Sequence, residues 1–93
     1  MIQVFKLTFP NRKIFIGKDE KGFLTYFGGF NQEEVESDYR NIVMPSFTIK
    51  KEILWESENA EEAEIDAVVE SYIRMFRSDD PRFGYNSRSK VAI

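Results

Sequence analysis

Apolar positions along the chain fall into short aromatic and β-branched runs, followed by one long stretch with helical spacing. Val4 to Phe9 is the first run, and its β-branched and aromatic content predicts a strand. Pro10-Asn11-Arg12-Lys13 has turn chemistry, because Pro presets φ and Asn tolerates left-handed backbone. Ile14-Phe15-Ile16 resumes an apolar strand that is expected to stop at Gly17, so the two runs predict a β-hairpin. Residues 18–22 are polar and read as a loop. Phe23 to Gly29 is aromatic but ends in two glycines, which suits either a short strand or an ordered loop.

Further on, Asn31 can cap a short helix over residues 32–41, with Glu33, Glu34 and Glu36 where carboxylates favour the helix dipole. Pro45 limits its extent. Phe47 to Trp55 is again rich in β-branched and aromatic residues and predicts the third strand. The clearest element lies between Asn59 and Phe76. Ile65, Val68, Val69, Tyr72, Ile73 and Phe76 recur at the i, i+3, i+4, i+7 spacing of an amphipathic helix. Ser57 or Asn59 can cap it, Ser78-Asp79-Asp80-Pro81 ends it, and Gly84-Tyr85-Asn86 comes next as a turn. The whole reads as a single α+β domain over residues 1–86, a three-stranded antiparallel sheet flanked by helices, with residues 87–93 as a C-terminal tail.

Composition narrows the chemistry. The 93 residues include no Cys and no His, so disulfides, thiolate metal sites and the usual neutral-pH general base are excluded. Acid–base or metal chemistry must come from Lys, Tyr, Asp and Glu. No apolar run reaches the roughly 20 residues of a membrane span, and the first residues lack a signal-peptide layout. A cytoplasmic location with no membrane partner is the expectation. The net charge of −3 is unevenly placed: residues 1–30 carry +3, residues 31–70 carry −9 and residues 71–93 carry +3. Such a distribution either creates a positive surface on one side of the fold or reflects an ordinary solvated surface.

Taken in order, several stretches resemble the GIY-YIG nuclease family. Val4-Phe5-Lys6-Leu7 matches the first motif strand, and Ile14-Phe15-Ile16-Gly17-Lys18 matches the second. Tyr26-Phe27-Gly28-Gly29 is similar to the Tyr-x-Gly-Ser element of a homing-endonuclease-like branch. Lys50 to Leu54 resembles the third family strand, and Gly84-Tyr85-Asn86 the closing Gly-Tyr-Asn motif. The likeness spans residues 3–86, and its specificity lies in the order and spacing of the motifs. It implies a three-stranded antiparallel sheet flanked by helices. It also implies phosphodiester cleavage with one divalent ion, usually Mg²⁺, held by a helical Glu, while tyrosines, an Arg and often a Lys act on water and phosphate.

Several of those positions depart from the pattern. Phe5 and Phe15 stand where the motif tyrosines would be, and a phenyl ring has no hydroxyl to donate or accept. The metal-binding Glu position falls on Val69; neighbouring Glu70 lies about 100° around the helix. Glu70 is either a displaced metal ligand or part of a solvated stripe with Glu62 and Asp66, ending at Arg74. No Arg occurs after Gly17 before Arg40. The remaining catalytic candidates are Lys18 for phosphate, Tyr26 and Asn86 for water, and Glu70 for Mg²⁺. Plainer roles for them are a loop lysine, a packed ring, a chain turn and a surface carboxylate. Arg12, Lys13, Lys18, Lys21, Arg82 and Arg88 are candidates for contacting nucleic acid through phosphates. Exposure of Phe30, Met44 or Trp55 would instead favour a protein interface.

Two functions are compatible with these residues. In the first, the domain has lost efficient cleavage, needs no cofactor and binds weakly to nucleic acid or to a protein partner, including as an inhibitor. In the second, it is an active Mg²⁺-dependent endonuclease with a rearranged site. The oligomeric state is not legible.

Overall fold

The computed structural model describes residues 1–20, 30, 32–39 and 48–86. Expectations that fall on residues 21–29, Asn31, residues 40–47 and residues 87–93 lie outside this set, among them those for Lys21, Tyr26, Met44 and Arg88. The elements run β1 (Ile2–Thr8), β2 (Ile14–Asp19), α1 (Gln32–Tyr39), β3 (Lys50–Ser57) and α2 (Glu62–Phe76). The strands form one antiparallel sheet in the order β2-β1-β3. This is the α+β architecture expected, with two helices among the described residues.

The strand limits differ from expectation in instructive ways. β2 continues through Gly17 to Asp19, so this glycine does not end the strand. Its role is packing. A Cβ on Gly17 would lie 2.6 Å from Phe5 Cζ and 2.9 Å from Phe15 Cε2, so the two rings cover the space a side chain would need. In the hairpin turn, Arg12 takes the left-handed backbone (φ 70°), although Asn11 is the better candidate by residue type. The Asn11 side chain acts on the turn instead, Oδ1 accepting the Lys13 N–H at 3.0 Å.

Successive residues of a strand face opposite sides of the sheet, which divides the core in two. On one side Phe5, Leu7, Phe9 and Phe15 pack with Val35 of α1 and with Tyr85. Phe9 meets Tyr85 edge-on with ring centres 4.8 Å apart, and Phe30 edge-on at 5.3 Å. On the other side Val4 and Ile16 meet Ile65 and Ile73 of α2, flanked by Val68, Val69, Tyr72 and Phe76. The helical stripe read from the sequence is therefore the face that α2 buries. A bulge between Val4 and Phe5 pairs them with Trp55 and Ile53, leaving Leu54 between. Leu54 and Trp55 consequently both reach the α2 side. Phe30 and Trp55 are each partly buried against a core cluster, which favours packing roles for both.

The expected side-chain cap of α2 is absent. Glu61 occupies the N-cap without a side-chain hydrogen bond, and Ser57 instead receives the Asn59 N–H at 3.4 Å. At the other end Arg77 adopts the left-handed conformation (φ 56°) and donates its N–H to Ile73. The chain then returns to the sheet. Gly84 forms a parallel bridge with Ile14, so residues 83–86 lie along the outer edge of β2. That edge would otherwise be an open row of backbone donors and acceptors.

Candidate functional site

Lys18 lies near the end of β2, on the side of the sheet that carries α2. The helix runs antiparallel to β2, which places its first turns above Lys18. The Lys18 Nζ is 3.1 Å from Asp66 Oδ1, 3.5 Å from Glu62 Oε1 and 4.0 Å from Glu20 Oε1. Its hydrogen bond to Asp66 raises the ammonium pKa above the ordinary value, against the loss of hydration and with help from Glu62. The lysine expected to meet phosphate is thus held by carboxylates, and any phosphate arriving there must displace them.

The motif positions lie on both sides of the sheet. Phe5, Phe15 and Gly17 share the α1 side, Phe5 fully buried and Phe15 nearly so. The Lys51 Nζ stands over the Phe5 ring at 4.6 Å. Val69 packs in the α2-side core. Glu70 comes next along the helix, half-buried and one turn beyond Asp66. No group of three or more acidic side chains suited to a metal ion occurs among the described residues.

Asn86 is buried, and both ends of its amide bond to the backbone of β2. The Ile16 N–H donates to Asn86 Oδ1 at 2.8 Å, and Asn86 Nδ2 donates to the Ile16 carbonyl at 2.9 Å. Two residues away, Ile14 donates to the Phe83 carbonyl and accepts from the Tyr85 N–H, each at 3.0 Å. The side-chain amide therefore continues a ladder begun by the main chain. Gly84 is required by this approach, since a Cβ there would lie 2.4 Å from both the Ile14 carbonyl oxygen and Ser78 Cα.

A second polar cluster has no counterpart in the motifs. The Tyr85 hydroxyl donates to Asp38 Oδ2 at 2.8 Å and accepts from Asn11 Nδ2 at 2.9 Å, while Lys13 Nζ lies 2.7 Å from the same Asp38 oxygen. The Tyr39 hydroxyl accepts the Asn11 N–H at 3.0 Å. Burial pushes the Tyr85 phenol far above its ordinary pKa, with Asp38 adding to the effect, so it stays protonated and donates. Burial alone would raise Asp38, but the bonds from Lys13 and Tyr85 outweigh it and hold the carboxyl below its usual range. The cluster fastens α1 to the hairpin turn and to the segment after α2. The only sequence signal for it is the polar turn itself, because the distant partners converge only in the fold.

Charge is separated along the strands. Arg12 and Lys13 lie in the hairpin turn, and Lys50 pairs with Thr8 beside it. Arg74 and Arg77 end α2 at the same end, followed by Arg82 next to the residues bridging Ile14. The acidic residues Asp38, Asp79 and Asp80 lie among them, the first paired with Lys13 and the last with Arg82. At the opposite end stand Glu20, Glu56, Glu58, Glu61, Glu62 and Glu64, with Lys18 among them. Of the expected nucleic-acid contacts, Arg12, Lys13 and Arg82 therefore come together, while Lys18 belongs to the acidic end.

Fold and site define a small α+β domain with a polar, two-ended surface. No protein-family model, no curated protein and no solved structure matches this chain. No helix among the described residues is long and apolar enough to cross a membrane.

Proposed function

We propose that the chain is a GIY-YIG-type nuclease domain that has given up efficient cleavage and binds nucleic acid through phosphates at its basic end. The observation that carries the binding part is the separation of charge along the sheet, which leaves exposed Arg12, Arg74 and Arg77 at one pole, with Arg82 paired to Asp80 beside them. Cations so grouped attract a polyanion and release its counterions. Loss of cleavage is supported by the groups now at the motif positions. Two phenyl rings provide no hydroxyl, Val69 no carboxylate, the Asn86 amide is bonded at both ends to Ile16, and Lys18 is an ion-pair partner.

Binding is tested by titrating labelled DNA and RNA at increasing salt, with cleavage followed on plasmid and single strands in Mg²⁺ or Mn²⁺. Binding without scission is expected, with log K falling by roughly 0.9 per phosphate contacted for each decade of salt. Arg12→Ala should make that dependence shallower. Scission that stops with a chelator and with Glu70→Ala would establish an active nuclease instead. Absence of binding even at low salt would leave a protein as the partner.

A further inference from the structure

The loop after α2 bears on which form of nucleic acid the basic end takes, a question that rests on the phosphate binding proposed for that end. Phe83 is 42% exposed although its backbone is firmly held. Its carbonyl accepts from Ile14 at 3.0 Å, and its N–H donates to the Asp80 carbonyl at 2.8 Å. The ring is thus presented to solvent by a fixed main chain. The Arg82 guanidinium lies over it, 5.4 Å from the ring centre. That guanidinium is itself clamped at two points, Nε to Asp80 Oδ1 at 3.2 Å and Nη2 to Asp80 Oδ2 at 2.9 Å. Because Asp80 offsets its charge, Arg82 offers mainly a flat, oriented surface. Exposed Arg12 lies two residues before Ile14, the strand residue that holds this loop.

A solitary exposed phenylalanine is ordinary. One kept in place by β2, layered with a clamped guanidinium and set at the end of the sheet where Arg12, Arg74 and Arg77 lie, has the makings of a base-stacking site. Bases in a duplex are already stacked on each other, whereas unpaired bases offer free π-faces. We infer that Phe83 and Arg82 form a stacking platform for an unpaired base, with Arg12 meeting the adjoining phosphates. The ligand is accordingly single-stranded nucleic acid.

The test uses the full chain and fluorescence anisotropy, with a labelled oligothymidine and a duplex of equal length at one salt concentration. The single strand should bind more tightly. Phe83→Ala should weaken it by about tenfold and leave duplex binding and the salt dependence unchanged. Phe83→Tyr should retain the wild-type preference. Phe83→Trp should show emission quenched by the single strand, against a constant contribution from Trp55. Equal affinity for both forms, or an unchanged single-strand affinity in Phe83→Ala, overturns the stacking platform while phosphate binding stands. Failure to bind either probe overturns both.

Discussion

Asn86 illustrates how one side chain acquires a role that its motif did not suggest. Its amide supplies both a donor and an acceptor to Ile16, in a place where water does not reach. Asn86→Ala leaves two buried backbone groups unpaired and should cost about 2–4 kcal/mol, measured by urea denaturation. Asn86→Asp keeps the acceptor but sets a carboxylate against the Ile16 carbonyl, so it should not restore stability. Asp38 makes a prediction about pH. Its pKa is depressed in the fold, so the stability it contributes is present above the unfolded value of about 4 and is lost as pH falls through the folded value. Asp38→Asn should flatten the acid limb of a stability–pH curve, whereas an unchanged limb would show that other carboxylates dominate it.

At the scale of elements, α2 and the sheet were largely legible, and the reason is periodicity. Ile65, Val69, Tyr72 and Ile73 repeat as a helix repeats, Ile65 and Ile73 buried with Val4 and Ile16 and the other two packed against that cluster. The strands were legible by composition, but their limits were not. Gly17 looked like a stop, and only the Phe5 and Phe15 rings above it explain why the strand passes through. The candidate site was less readable still. The acidic stripe Glu62–Asp66–Glu70 was visible, yet its partner Lys18 is remote in sequence and meets it only because α2 lies antiparallel over β2. Asp38 and Tyr85 carried no local signal for their pairing. The Lys18 ion pairs are half-exposed, so salt and water screen them. Lys18→Ala should cost no more than about 1 kcal/mol in a thermal or urea melt, with the difference shrinking at high salt. A much larger loss would indicate that α2 docks by charge rather than by its apolar face.

For the molecule as a whole, opposite charge at the two ends of the sheet gives a direction of approach. A polyanion is drawn to the hairpin turn and repelled from the start of α2, which orients the encounter before contact. The edge formed by residues 83–86 on β2 has a consequence for biosynthesis. The hairpin emerges from the ribosome before this segment, and its outer strand stays unsealed until Gly84, Tyr85 and Asn86 have followed it out. A nascent chain arrested before Gly84 should therefore remain sensitive to protease, and one arrested well beyond Asn86 should resist it. Completion of this sheet thereby waits on three residues far along the chain from the strand they close.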